Sequence, residues 1–88
     1  MKKKESLFLN ELKEKLREYM KQDSYNPKNM TFSRIYEEIQ PTLEELRKKH
    51  NIQSNPINTN TTIIMVKAET DSQWYYENIF MKKRIKPL

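Results

Sequence analysis

The sequence predicts a small α+β domain in which three helices are followed by a β-hairpin. Three observations carry that prediction: an amphipathic stretch near the start, a second one over 31–51 interrupted by Pro41, and two β-branched or aromatic runs after it. The 88 residues suit a single domain, with basic tails at 1–5 and 82–88. A chain of this length has room for one compact core.

The first helix is predicted over residues 4–22. Its apolar side chains recur at helical spacing: Phe8, Leu9, Leu12, Leu16, Tyr19 and Met20. The polar segment 23–29, with Asn26 before Pro27, is expected to end it. Because the chain has no glycine, asparagine is expected at left-handed backbone positions, with Asn26, Asn29 and Asn51 as the candidates.

The stretch over 31–51 raises the question of one helix or two, because its apolar residues form one continuous stripe. An interior Pro41 would cost a single helix about 3 kcal/mol. Thr42 and Glu45 have the spacing of a capping box, which is useful only where a helix begins. The sequence therefore predicts two helices, one over 31–39 with Thr31 as its N-cap and one over 43–50.

The remaining elements are predicted to be strands. TTIIMVKA, residues 61–68, is β-branched and apolar, and the aromatic run WYYENIFMKK, residues 74–83, follows the short break ETDSQ. For the second run, a helix capped by Asp71 or Ser72 is the alternative.

Helix, helix, corner, helix, strand, loop and strand in this order resemble a winged helix-turn-helix domain, over residues 6–84. The resemblance implies binding of double-stranded DNA, with a recognition helix at 42–51 and a wing at 68–74. The chain departs from the family at the corner, where Gln40-Pro41-Thr42 stands in place of the glycine often found there.

Charge patterning also predicts a polyanionic partner. Ten of the 17 Lys and Arg residues fall in three short runs, 2–4, 47–49 and 82–86. Lysine-rich termini can also simply favour solubility. The abundance of Lys, Asn and Ile, without glycine, is typical of a low-GC source such as a bacterial plasmid or phage.

The predicted DNA contacts are cations, together with two hydroxyl side chains near helix starts that could anchor phosphate. Glu44 and Glu45 would face the DNA from the recognition helix, so the hairpin and the basic tail are expected to share the binding. The predicted DNA-binding residues are Lys28, Ser33, Arg34, Thr42, Arg47, Lys48, Lys49, Lys67, Lys82, Lys83, Arg84 and Lys86.

Catalysis is not expected. One histidine, no cysteine and no glycine give no Cys–His pair, no metal cluster and no phosphate-cradling loop, so no metal, cofactor or small-molecule ligand is predicted. The apolar stretch near the start is broken at Asn10 and Glu11, too early for a signal peptide or membrane span. We expect a bacterial cytoplasmic protein associated with the nucleoid or a plasmid.

The predicted role is transcriptional control, or an accessory part in plasmid or phage replication, partition or conjugative transfer. The protein is expected to act as a homodimer or as several copies on repeated sites. The alternative is a protein-binding module, such as an inhibitor of a host enzyme, with an aromatic anchor at 74–76. If 74–83 were a strand, Trp74 and Tyr76 would share its core-facing side.

Overall fold

The computed structural model describes residues 2–80, which form an all-α structure. Four α-helices are followed by one π-helical turn: α1 (Lys2–Tyr19), α2 (Phe32–Glu38), α3 (Gln40–His50), α4 (Thr59–Tyr75) and the turn Tyr76–Phe80. The described part of the chain contains no strand. The predicted α+β class and its β-hairpin wing are therefore wrong.

Helix α1 confirms the first predicted helix. Phe8, Leu12 and Leu16 are fully buried and Met20 nearly so, which is the apolar face that the spacing predicted. The helix runs over Lys2–Tyr19, two residues earlier at its start and three earlier at its end than predicted.

The joint between α2 and α3 is a kink and not a helix-turn-helix corner. Ile39 alone separates the two helices, at φ −91° and ψ 0°. Its N–H donates to the Ile35 carbonyl at 2.9 Å, and Leu43 N–H donates to the Ile39 carbonyl at 3.0 Å, so helical bonding continues on both sides. A helix-turn-helix corner contains three or four residues, and this joint has one.

The capping box predicted at Thr42 and Glu45 is also wrong. Helix α3 begins at Gln40, which puts Pro41 in its first turn, and no side chain caps its start. Proline is tolerated there because the N–H it lacks would have no helical partner. Gln40 Nε2 donates to the Tyr36 carbonyl at 3.0 Å and so provides this carbonyl with a donor at the kink.

Two local predictions in this region are confirmed. Thr31 is the N-cap of α2, and its side chain accepts a hydrogen bond from the Arg34 N–H at 3.3 Å. Asn51 ends α3 at φ 56° and is the one left-handed residue among those described. Asn26 and Asn29 do not adopt that conformation; Asn26 Oδ1 instead accepts from the Lys28 N–H at 3.0 Å, in a side-chain turn.

Helix α4 and the π-helical turn Tyr76–Phe80 replace both predicted strands over the described residues. Its buried side chains, Thr59, Thr62, Ile63 and Val66, recur every three or four residues and face the core. A two-stranded hairpin on its own is marginal, whereas this helix packs one face on α1 and α2. Asp71 and Ser72 lie inside the helix and cap nothing, so the alternative helix was right in kind but not in its start.

Helices α1, α3 and α4 run up, down and up. Lys49 and His50, at the end of α3, contact Glu11 of α1, while Glu38 at the end of α2 bonds Tyr19 at the end of α1. Helix α3 is therefore antiparallel to α1. Arg17 pairs with Glu69 of α4 at 3.5 Å, and the cleft beyond that pair is lined by Lys21, Gln73 and Glu77, so α4 is parallel to α1.

Within residues 2–80, no helix combines the length and the apolar character that a bilayer crossing requires.

Candidate nucleic-acid interface

One end of the helical bundle collects positive charge. Because α3 is antiparallel to α1, the last turn of α3 lies beside the first half of α1. We call the resulting surface the basic end; it consists of Lys3, Lys4, Arg47, Lys48 and Lys49. Lys4 lies about 10 Å along the helix from Glu11, at 1.5 Å per residue, and Glu11 is the residue that Lys49 contacts.

The chain that follows the basic end adds no negative charge. Between Glu45 and Glu69 the sequence contains no Asp or Glu, and the connection over 51–58 carries no charge at all. Lys48 is exposed, and it has no ion-pair partner among residues 2–80. The basic end is therefore a positive surface beside an uncharged one.

Glu11 of α1 contacts the last turn of α3 at this end. It accepts a hydrogen bond from Lys49 Nζ at 2.6 Å and lies 2.6 Å from His50 Nε2. These contacts, Lys49 first and His50 second, lower the pKa of the Glu11 carboxyl. The His50 ring also meets Phe8 edge-on, with 6.5 Å between ring centroids.

Arg47 orders the connection that leaves α3. Its Nη1 donates to Asn55 Oδ1 at 2.6 Å, and its carbonyl accepts from the Ile52 N–H at 2.9 Å. The second bond, with Asn51 left-handed, is the Schellman ending of a helix. Arg47 is half-buried, so it contributes charge to the basic end while it holds the connection in place.

The structure brings together only part of the predicted DNA-binding set. Arg47, Lys48 and Lys49 lie together at the basic end. Lys3 and Lys4 join them; the sequence showed the run at 2–4, but only the antiparallel packing places it beside α3.

Other predicted contacts lie elsewhere or are engaged. Lys28, Ser33 and Arg34 lie at the opposite end of the bundle, and Arg34 Nε pairs with Glu38 at 3.2 Å. Lys67 bonds Asp71, and its side chain is only 16% exposed. Lys82, Lys83, Arg84 and Lys86 lie outside the described residues.

Thr42 is also displaced from its predicted role. It is half-buried inside α3, in a pocket lined by Tyr19 and Glu38, away from the basic end. It does not begin a recognition helix, because α3 starts two residues before it.

The opposite end of the bundle is held by two tyrosine–carboxylate hydrogen bonds. The Tyr25 hydroxyl donates to Asp71, which Lys67 also contacts. The Tyr19 hydroxyl donates to Glu38, which also accepts from Arg34. Burial, then the carboxylate, raises the pKa of Tyr19 to about 12. The same two causes raise the pKa of Tyr25 further.

These two tyrosines stabilise the fold. Each ties a segment far away in sequence to its carboxylate, and a raised pKa keeps the hydroxyl protonated as a donor. Among residues 2–80, no three His, Cys, Asp or Glu side chains gather closely enough to hold a metal ion.

The aromatic run at 74–76 is divided between core and surface. Trp74 is half-buried and packs on the core, as expected. Tyr76 is exposed, so its predicted core position is wrong, and Tyr75 is exposed as well. Ile64 and Met65 of α4 are exposed as well. The strand prediction did not identify this exposed pair, whereas a helical spacing applied to residues 59–74 would have placed the two side chains away from the buried ones.

Comparison of the chain with protein-family models, with curated proteins and with solved structures gives no match. The class defined by the fold is a small all-α protein.

Proposed function

We propose that the protein binds double-stranded DNA through the basic end. The observation that carries the proposal is the antiparallel packing of α1 and α3, which joins two basic runs that lie more than forty residues apart in the sequence. The DNA phosphates are the polyanion that such a surface attracts. The predicted wing has no part in this mode, and the predicted recognition helix contributes only its last turn, through Arg47, Lys48 and Lys49.

The charges of the basic end favour phosphate contact. Lys3, Lys4 and Lys48 are exposed, and Lys49 keeps 62% of its side chain exposed although it pairs with Glu11. Cations in the last turn of α3 also complement the negative end of the helix dipole. Phosphates within about 10 Å would feel these charges together at physiological salt.

Sequence preference would come from the uncharged surface beside the cations. Phosphate contacts position a protein on DNA and carry no base information. Gln53, Asn58 and Asn60 are exposed in the connection and at the start of α4. Amide side chains of this kind can form two hydrogen bonds with adenine in the major groove, one with N6 and one with N7.

The first test is the salt dependence of binding to a fluorescein-labelled 30-base-pair duplex, followed by anisotropy. If three or four phosphates are neutralised, log affinity should fall with log salt at a slope of about −3 to −4. An affinity that hardly changes between low and moderate salt contradicts the proposal.

The second test is a pair of matched charge reversals. Lys48→Glu should weaken binding roughly tenfold and reduce the salt slope by about one. Lys21→Glu makes the same change of charge at an exposed residue at the opposite end of α1 and should leave binding much closer to that of the wild type. Equal losses in the two variants would mean that net charge, and not the basic end, attracts the DNA.

The basic tail is a separate contributor to the same proposal. Reversal of Lys82, Lys83 and Arg84 should weaken binding to all sequences alike, because a basic arm lies along phosphates. With this activity, the protein would work on bacterial nucleoid or plasmid DNA, in transcription or as an accessory factor in replication, partition or transfer.

A further inference from the structure

Helix α4 is apolar on two faces, and the fold covers only one of them. Ile63 and Val66 are buried against the other helices. On the opposite side, Ile64, Met65 and Tyr75, together with Tyr76 of the π-helical turn that follows α4, are between 40 and 53% exposed. Exposed apolar side chains that gather on one side of a helix are typical of a surface that contacts a partner.

Some of the exposed residues of this segment follow a coiled-coil spacing. We call them the outer stripe: Thr61, Ile64, Met65, Ala68, Ser72, Tyr75 and Tyr76. Steps of four, three, four and three residues join Thr61, Met65, Ala68, Ser72 and Tyr75, an average of about 3.5, which keeps a stripe facing one partner helix.

No charged side chain belongs to the outer stripe, and the charges beside it are paired within the protein. Lys67 bonds Asp71, and Glu69 pairs with Arg17. An acidic or polyanionic partner would be attracted to the basic end instead. The surface that suits an uncharged apolar stripe is another such stripe, and a second copy of this chain provides one.

The stripe is self-complementary when two copies run antiparallel. In that arrangement Met65 faces Tyr75 of the second copy, Ile64 faces Tyr76, and Ala68 faces Ser72. Small residues in the middle allow the helices to approach closely, and methionine sulfur packs favourably on an aromatic ring. Each contact occurs twice about a two-fold axis, as in most homodimers.

We propose that the outer stripe of α4 is a homodimer interface, with two copies of α4 antiparallel and the two-fold axis beside Ala68 and Ser72. The stripe presents seven side chains per protomer, a small surface beside the roughly 20–30 residues a side of a standard specific interface. We therefore expect a weak dimer. It needs no DNA, and it places the two basic ends at opposite ends of the assembly.

Sedimentation velocity of the full chain, free of nucleic acid, at about 1 to 200 μM tests the interface. The wild type should shift from monomer to dimer across that range. Met65→Glu should weaken dimerisation at least tenfold, with an unchanged helical circular dichroism spectrum. Ile57→Glu is the matched control, because Ile57 is 91% exposed and lies outside the stripe, and it should dimerise as the wild type does.

A wild type that stays monomeric at 200 μM overturns the proposal, even if the stripe then proves to capture another protein. A Met65→Glu variant that dimerises like the wild type also overturns it. DNA binding at low protein concentration is measured separately, so a failure of the dimer is distinguishable from a failure of the basic end.

Cysteine pairing tests the antiparallel register, since the natural chain has no cysteine. Mixed Ala68→Cys and Ser72→Cys chains should form a disulfide between the two variants, and each variant alone should cross-link poorly. Efficient cross-linking of Ala68→Cys with itself would indicate a parallel pair and would overturn the proposed arrangement.

Discussion

The two faces of α4 differ in what covers them and hardly at all in the kind of residue they carry. Ile63 and Ile64 are neighbours of the same type, yet Ile63 is completely buried and Ile64 is 53% exposed. A turn of about 100° per residue is enough to separate them. The buried face contributes to the stability of the monomer, whereas we propose that the outer stripe contributes to association.

An apolar residue in a small protein is therefore not assigned to the core by its type alone. Composition alone would assign both isoleucines to a core. Only the position of α1 and α2 decides which of them the monomer covers, and predictions that compare covered groups with uncovered ones test this directly.

The largest expected effect compares Ile63→Ala with Ile64→Ala. Ile63→Ala should lower the free energy of unfolding by about 2–5 kcal/mol, because it removes buried methyl groups and leaves a cavity. Ile64→Ala should change monomer stability by less than about 0.5 kcal/mol. Urea unfolding at a protein concentration that keeps the chain monomeric measures both, and equal losses would mean that the outer stripe is covered in the monomer.

A smaller effect is expected when a covered tyrosine is compared with an uncovered one. Tyr25→Phe removes the hydroxyl bonded to Asp71 and should cost about 1–2 kcal/mol of unfolding free energy. Tyr75→Phe, on the outer stripe, serves as the control and should cost less than about 0.5 kcal/mol. Thermal unfolding of both variants under one condition measures the difference; no difference would mean that the Asp71 bond is not stabilising.

The loss of stability at high pH should depend on the two hydrogen-bonded tyrosines, Tyr19 and Tyr25. Burial raises the pKa of Tyr19 to about 12 and raises that of Tyr25 as well. A raised pKa means that the folded state holds the proton more tightly, so this stability is present below the ordinary tyrosine pKa and is lost as the pH rises towards the folded value. Absorbance titration near 295 nm should show two tyrosines that ionise late, and Tyr25→Phe should remove one of them.

The smallest expected effect is at the basic end, where Glu11 is partly exposed. Its pKa is lowered by Lys49 and then His50, so the folded state releases its proton more readily than the unfolded state does. The resulting stability is present above the ordinary glutamate pKa and is lost as the pH falls through the folded value.

Glu11→Gln should therefore lower the melting temperature slightly at about pH 7, and the difference from the wild type should shrink as the pH falls below the ordinary glutamate pKa. Glu14→Gln, an exposed residue of the same helix, is the matched control. A loss that persists undiminished at the acid end would show that the contact stabilises the fold by packing and not by charge.

Structural features that depend on a few neighbouring residues were predicted correctly. The apolar spacing of α1, the Thr31 cap and the left-handed Asn51 each depend on contacts within one or two turns, and all are present in the structure. Pro41 correctly marked an interruption. Its form was misjudged, because a proline in the first turn of α3 needs no capping box after it.

Structural features that depend on contacts with distant segments of the chain were not predicted. The propensity of 61–68 for a strand describes how β-branched residues fit a pleated surface, and the described chain offers no second strand to form one. The half of the candidate site on α3 was predicted from its charge run. Its association with Lys3 and Lys4 was not, because the direction in which two helices pack is not encoded near either run.

The sequence by itself determined which segments before residue 51 are helical, how α2 begins, how α3 ends, and that positive charge is gathered in short runs. Backbone geometry and local hydrogen bonds settle those features within a few residues. Only the tertiary structure decided that 59–75 is a helix, that Ile63 is covered while Ile64 is not, and that two of the basic runs share one end. Those features depend on burial of apolar area between segments distant in the chain, and a local pattern does not specify which segment will cover which.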